Sequence, residues 1–538
     1  MPQMRVVGAG MPWAIDSHGN SRPFTVSGRR SGETAEYKTQ VPAELGPARP
    51  GEAPEGDGLD TWSVAGVDSH HHLRNHHVQQ TFMQRPLQEL SQTGGQGEQQ
   101  SLVFRGAELV EDSACSDDQA SGLDSRNASS SGTAEQDDGS VADSVCKDLV
   151  ARDTPTSNPF RELIPLTNKH PLLLQILIAT SAIHWSNIFR PITAIPTGLA
   201  DPGGYLAQLR SQDLVSRQAL IDALTAKQKA MGHLRDVLDT LDPAGSEVAL
   251  AAMHFFVKFD LIDLERNDGK GWQAHLEGAS SILAFLAPES PRHASSRMLR
   301  DCVIADCLIY HILGSTLASG AIASRIARYA FELLPVMKRV EVNSYLSCPP
   351  EILQIILLAS QLSYESPCTD WSLSAADQAL TLIDQALAFD IPAWADQLRL
   401  ASNVSDIESR IHIASAHRSA VCLYILQALP LVRAVRPVDT NFLVGDILSH
   451  LAQIEEEDPY FKATSWPTFI AGAETRDAEK RAWAMSRMFA IWKICSWGYI
   501  FTAIEMLKAT WQMQDSGNGS GVNWLQDLKD MGFGYLIV

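Results

Sequence analysis

The sequence predicts an all-α chain: one large multi-helix domain of packed antiparallel helices, preceded by a long disordered N-terminal region. Three observations carry that expectation. From about residue 158 onward, apolar residues recur every three or four positions, the period of a helix face. Helix-start signals stand in front of several of these stretches. Strict alternation of apolar and polar residues is nearly absent, and no Asn-Gly pair sits between β-branched runs.

Residues 1–152 form the first region. Gly, Ser, Pro, Gln and acidic residues dominate it, and apolar residues appear singly and without period. Such a stretch cannot bury enough apolar surface to offset its ordering entropy, so disorder is expected. Its second half is acidic through Glu108, Glu111, Asp112, Asp117, Asp118, Asp124, Asp137, Asp138, Asp143 and Asp148. Acidic activation segments usually interleave aromatic and leucine side chains with their acids. Apolar residues are sparse over 108–148, so a solvated linker is the favoured reading. His70-His71-His72-Leu-Arg-Asn-His76-His77 is the most conspicuous cluster. Histidines at that density take up transition metals opportunistically, but a polar tract in a disordered tail is the simpler reading. A short helix formed on binding a partner is the second reading.

The region 153–538 is read as the helical domain. Pro171 to His184 predicts a helix with proline in its first turn. Gln212 to Leu241 predicts a long amphipathic helix, and Glu247 to Leu264 an almost wholly apolar, buried one. Trp272, Leu276, Ala279, Leu283 and Leu286 make a single helical stripe, within which Gly278 suggests close packing. Further helices are expected at 297–318, 321–338 and 350–363, the last opened by Pro349-Pro350-Glu351. Ser374-Ala-Ala-Asp377 and Ser405-Asp-Ile-Glu408 match the capping-box pattern ahead of two long periodic segments, the second ended by Pro430. Ala478 to Gln512 is expected as one long helix rich in Trp, Met and Ile, and 523–538 as a last short one. No repeat of fixed period is present.

Composition bounds the function. The 538 residues are 45% hydrophobic and 20% charged, with a net charge of -20 and a pI near 5.2. So acidic a chain repels phosphate backbones, and nucleic-acid binding by the chain alone is not expected. The N-terminus lacks a signal-peptide pattern, and the apolar run Pro171 to Ile183 is shorter than the ~20 residues a bilayer requires. A soluble, intracellular chain without membrane contact is expected. Its eight cysteines are scattered and expected to be reduced. Cys302, Cys307, Cys422 and Cys495 lie in apolar stretches, as small hydrophobes do. The absence of any Cys-x2-Cys pair excludes a zinc site of that spacing.

Searches for catalytic constellations return nothing. There is no phosphate-binding Gly-Lys-Ser/Thr loop, no strand–GxGxxG–helix fingerprint and no Gly-x-Ser-x-Gly elbow. Gly517-Asn-Gly-Ser-Gly521 is a loop between two helices. His275-Leu-Glu277 resembles half of a deaminase signature, but Pro367-Cys368 runs on into Thr369, Asp370 and Trp371. On a helix His275 and Glu277 also point apart. His184, His254, His311 and His417 are expected as hydrogen-bonded core histidines. Trp272, Trp466, Trp483, Trp492, Trp497 and Trp511 are expected in the core, with a minority able to line an apolar effector pocket. No catalytic, cofactor-binding, metal or DNA-binding residue is assigned, no cofactor is expected, and the chain is not expected to be an enzyme.

Four segments, in order, resemble one family. They are Asn158-Pro-Phe-Arg161 with Leu163-Ile-Pro165 and Pro171 to His184; Gly271-Trp-Gln-Ala-His-Leu-Glu-Gly-Ala279 with Leu283; Trp466-Pro-Thr-Phe-Ile-Ala-Gly-Ala-Glu474 with Arg481 and Trp483; and Trp511 with Asn523-Trp524-Leu-Gln-Asp527. Together they cover 158–538 and resemble the fungal-specific transcription factor domain, the regulatory domain found behind zinc binuclear clusters. The resemblance implies an all-α fold, a nuclear location and control of transcription, in many relatives of metabolic or secondary-metabolite genes. The chain departs from the family in one respect. Members normally begin with Cys-x2-Cys-x6-Cys, which holds two zinc ions and presents a helix to the major groove. Only Cys115 and Cys146 precede residue 158 here, and Arg29-Arg30 is too short for an import signal. DNA is then reached through a zinc cluster upstream of Met1 or through a partner protein. A homo- or heterodimer and a small-molecule effector are compatible with the same resemblance. Two alternatives remain: a non-DNA-binding scaffold or dimerisation partner of a zinc-cluster factor, and an enzyme using a pocket of the helical domain.

Overall fold

The computed structural model describes residues 13–15, 21–23 and, from 147 to 538, all but short stretches, the longest being 189–194, 266–270, 285–293, 366–372 and 517–522. The expected disorder of 1–152, the acidic tract and the histidine cluster lie almost entirely outside the described residues. Two three-residue strands are described there. β1 (Trp13–Ile15) and β2 (Ser21–Pro23) pair antiparallel, Trp13 opposite Pro23 and Ile15 opposite Ser21. Three residues are too few for an alternating pattern to register in the sequence. The chain divides into two units, Met1–Ala65 and Gly66–Val538. The strand pair belongs to the first and every helix below to the second.

Asn158 opens the helical region by accepting a hydrogen bond from the Phe160 amide, which caps a 3-10 turn over Pro159–Glu162. α1 (Leu163–Thr167) and α2 (Pro171–Ile188) follow. α2 runs five residues past the apolar run seen in the sequence. Its 18 residues are long and apolar enough to cross a membrane by length and composition alone. In this fold it is a core helix, with Leu172, Leu173, Ile176, Ala179 and Ile183 all buried.

The helix expected over 212–241 is present, with another helix directly before it. α3 (Pro202–Gln212) is closed and α4 (Leu214–Asp239) opened by Asp213, whose carboxylate accepts from the Ser216 amide at 2.9 Å. Asp is a strong N-cap residue, so the boundary between the two helices is set by local chemistry. α5 (Pro243–Ile262) is apolar on nearly every side and is buried as expected. α6 (Gly271–Leu283) buries Trp272, Leu276, Ala279 and Leu283 with Gly278 among them. α7 (Ala294–Leu317), α8 (Ala321–Val340) and α9 (Pro350–Glu365) occupy the three expected positions.

Neither capping box sits where the pattern placed it. α10 (Leu373–Ala388) already includes Ser374, and α12 (Ile407–Ala428) has Asp406 rather than Ser405 at its N-cap position. Between them α11 (Ile391–Ala401) is a separate helix, opened by Asp390 accepting from the Ala393 amide at 2.9 Å. Pro392 lacks the N–H that a continuous helix needs, so the chain restarts there. α12 is buried from Ile413 to Ala428 except at Arg418, which makes it the central helix of the domain. α13 (Leu431–Val435), α14 (Thr440–Leu451) and α15 (Ser465–Glu474) are short helices to which periodicity gave no positions.

The expected long helix over 478–512 is two: α16 (Ala478–Ile494) and α17 (Tyr499–Ser516). The break is at Gly498, whose amide donates to the Ile262 carbonyl at 3.0 Å. A Cβ at 498 would lie 1.9 Å from the Asp263 carbonyl oxygen, so only glycine lets the end of α5 dock there. α18 (Trp524–Asp530) ends well before 538, and Gly532 follows at φ +81°. Beyond it Leu536, Ile537 and Val538 are buried without helix, and the Val538 carbonyl accepts from Tyr499 Oη at 2.5 Å and from Ser465 Oγ. One apolar core runs through the helices, with a small satellite around Trp394 and Leu398.

Candidate functional site

The last turn of α15 is the place where four helices bring polar side chains together. Buried Trp466, Phe469 and Ala473 hold α15 in the core. Its Gly472 admits a close crossing, since a Cβ there would lie 3.0 Å from Ala484 Cβ and 3.2 Å from Leu507. The terminal carbonyls of a helix have no partner within it. Here α17 supplies them: Trp511 Nε1 donates to the Gly472 carbonyl at 2.8 Å and Gln514 Nε2 to that of Ala473 at 2.9 Å. Arg481 braces the corner, bonding the Thr475 carbonyl at 3.1 Å and Asp515 at 2.9 Å, with its guanidinium over the Trp511 ring.

Glu474 ends the helix with a side chain only 6% exposed. It accepts from Gln427 Nε2 at 2.6 Å, from Trp524 Nε1 at 2.9 Å and from Arg433 Nη2 at 3.0 Å. A carboxylate withdrawn from water needs such donors. α12, α13, α15 and α18 are tied by this one residue. Beside it opens a mostly polar cavity of about 340 Å³, also lined by Arg476, Thr510, Met513 and Asp527. Burial, and then neighbouring Asp530, raise the Asp527 pKa above the usual carboxylate range. Two side-chain atoms of residues that line it, Gln427 Oε1 and Thr510 Oγ1, are buried without a hydrogen-bond partner. Each orphan of this kind costs about 1–3 kcal/mol.

A second polar centre lies inside α5 and α7. Lys258 Nζ is 2.5 Å from Tyr310 Oη and 3.7 Å from Asp306, and it faces the rings of Tyr310, Tyr345 and Trp497. Asp306 also holds His254 Nε2 at 2.9 Å. Burial, together with Lys258, outweighs Asp306 and lowers the His254 pKa to about 4. Burial foremost lowers that of Lys258 as well.

The four helix histidines are hydrogen-bonded core residues, as expected. His184 meets Asp148 at 3.0 Å, His254 meets Asp306, His311 meets the Cys307 carbonyl at 2.7 Å, and His417 meets the Ile413 carbonyl at 3.0 Å. His275 stacks on Phe256 and lies 3.6 Å from Asp260. Among the described residues no three His, Cys, Asp or Glu side chains gather into a metal-holding set. Cys302, Cys307, Cys422 and Cys495 are buried thiols, and burial pushes that of Cys422 up to about 12. Trp272, Trp466, Trp492 and Trp497 are buried, and Trp483 and Trp511 half-buried. The cavity at Glu474 is polar; a mostly apolar one of about 200 Å³, lined by Leu206, Leu209, Leu264 and Trp492, is of the kind expected for a minority of the tryptophans. Gln427, Glu474 and Thr510 carry no sequence pattern of a site. An acid at the end of the otherwise apolar Trp466-to-Glu474 helix was the available signal. The third and fourth segments of the resemblance meet here, through Trp524 on Glu474 and Trp511 on Gly472.

Residues 142–538 match the family described as the fungal specific transcription factor domain. Over 401 residues the chain is 35% identical to the acriflavine sensitivity control protein acr-2 of Neurospora crassa, an alignment covering 72% of this chain. The chain spans 64% of the length of that relative. No solved structure matches the chain.

Proposed function

Because the chain belongs to the fungal specific transcription factor domain family, we propose that it regulates transcription, with the helical domain from about residue 153 acting as an effector-sensing module and the cavity at Glu474 as its effector site. The family match over 142–538 is the observation that carries the reading. The cavity supports it because a buried carboxylate bridging four helices links occupancy to their packing, which is what a sensor requires. The chain then acts in the nucleus, as a regulator rather than an enzyme. With a net charge of -20 it reaches DNA through a zinc cluster or a partner protein. Its targets are metabolic or secondary-metabolite genes, and the acr-2 likeness adds genes that set acriflavine sensitivity. Deleting the coding sequence and profiling transcripts, with growth scored on acriflavine, tests this. The expected result is a coherent set of altered transcripts, and an unchanged profile across conditions contradicts it.

A second reading is favoured by one observation. Leu214, Val215, Ile221 and Leu224 are exposed on α4, Leu214 at 78%. An apolar row of that kind suits a dimerisation partner of a zinc-cluster factor. Leu214→Ser with Ile221→Ser then abolishes co-purification with that factor and leaves the fold intact.

A further inference from the structure

We propose that His412 and His450 form an acid-released latch between α12 and α14, sharing one proton between their rings and parting when both rings are protonated. α14 carries His450 in its last turn and lines the Glu474 cavity with Thr440 and Asn441 in its first. Opening the latch therefore frees one wall of that cavity to move. The latch does not depend on what the cavity binds.

The geometry is that of a shared proton. His412 Nδ1 and His450 Nδ1 lie 3.0 Å apart, with the ring centroids 5.3 Å apart. A neutral imidazole has one N–H and one lone pair, and its neighbours decide which nitrogen carries which. Asp446, one turn before His450, sets its Oδ1 3.6 Å from His450 Nε2. A carboxylate on that side favours N–H at Nε2 and leaves the lone pair on Nδ1. His412 Nδ1 then donates to His450 Nδ1. Asp446 is itself tied to α12, its Oδ2 accepting from Ser419 Oγ at 2.6 Å.

Counting protons gives the switch. A first added proton takes the lone pair on His412 Nε2, which leaves the bond in place and makes it charge-assisted. A second has only His450 Nδ1 left. Two N–H groups of two cations then face each other at 3.0 Å, and the contact cannot survive. The surrounding charges set the range. Arg418 acts on His450 from α12 and Asp446 from α14. α15, also packed on α14, carries no charged residue before Glu474. Burial foremost, joined by His412 and Arg418 and opposed by Asp446, lowers the His450 pKa from 6.5. A released His450 titrates near 6.5. The closed latch is therefore fully favoured above that pH and is lost as pH falls below it. Solvent reaches the ring, whose side chain is 26% exposed.

The test is hydrogen exchange of the full chain between pH 7 and pH 5, corrected for the intrinsic rate and read by mass spectrometry over 440–451. Opening of α14 is expected to rise by up to about tenfold per pH unit below 6.5, the effect of one proton taken up on opening. α5 reports global unfolding in the same sample, and α14 is expected to open more than α5. His412→Gln keeps a donor for His450 Nδ1 and cannot take a proton, so it is expected to flatten the extra pH dependence of α14. His450→Gln is expected to do the same and carries the result if the first variant fails to fold. Exchange in α14 that stays level with pH, or that only follows α5, overturns the latch. So does an extra pH dependence that persists in the folded variants.

Discussion

The Lys258 centre and the Glu474 centre are both buried polar networks, each tying several helices through one charged side chain, and they differ in what surrounds their unpaired atoms. Around Lys258 the orphan is His254 Nδ1, its ring stacked between those of Phe160 and Tyr310. Around Glu474 the orphans are Gln427 Oε1 and Thr510 Oγ1, on residues that line a cavity. In a tightly packed interior an orphan only lowers stability. On a cavity wall the same deficit can be made good by a guest, which turns a structural weakness into binding energy. The first network is therefore a structural staple, and the second is the one proposed as the effector site.

The largest way to break the comparison is at Asp306. Asp306→Ala leaves Lys258 and His254 buried without their carboxylate. Removing one partner of a buried pair costs about 3–5 kcal/mol, so a marked drop in Tm is expected in a thermal melt. A Tm within a degree of wild type removes the structural role given to this centre. The pH dependence comes next. Burial lowers His254, His275, His311 and His417 to about 4 from 6.5. They stay neutral in the folded chain down to that pH, whereas the unfolded chain protonates them below 6.5. Stability is therefore fully present above pH 6.5 and falls as pH drops toward 4, by at most about 1.4 kcal/mol per unit for each histidine. Denaturant midpoints that stay level between pH 6.5 and 4.5 contradict this.

Smaller changes sharpen the receptor side. Trp524→Phe keeps an aromatic ring but deletes the donor to Glu474 and part of the buried indole, a loss of at least about 1 kcal/mol in chemical denaturation. Thr510→Val is expected to leave stability unchanged or raise it by up to about 1 kcal/mol, because it deletes an unpaired buried hydroxyl. A clear destabilisation by Thr510→Val shows that the hydroxyl has a structural partner and does not wait for a ligand.

The sequence made the helices legible wherever packing alone decides them. α5 is apolar all round, and the α6 stripe from Trp272 to Leu283 keeps one face to the core. Periodicity failed where a single residue overrides it: Gly498 yields space to the end of α5 and splits 478–512 into two helices. Gly498 does not interrupt the apolar count, so periodicity read through it. The histidines were legible because a histidine in an apolar helix has few partners besides carbonyls and acids. The cavity at Glu474 was not, because Gln427, Glu474, Thr510 and Trp524 come from four helices spread over nearly a hundred positions. Only the resemblance had marked Glu474 and Trp524 together, without saying that they touch.

The central claim is that a regulator of transcription reads its effector at the Glu474 cavity. Its most direct test is transcript profiling of three strains in parallel, carrying the wild-type chain, no chain, or Thr510→Val at equal protein abundance. The account predicts that Thr510→Val shifts many of the transcripts altered by deletion while the protein stays folded. A Thr510→Val profile identical to wild type, in conditions where the deletion differs, contradicts it.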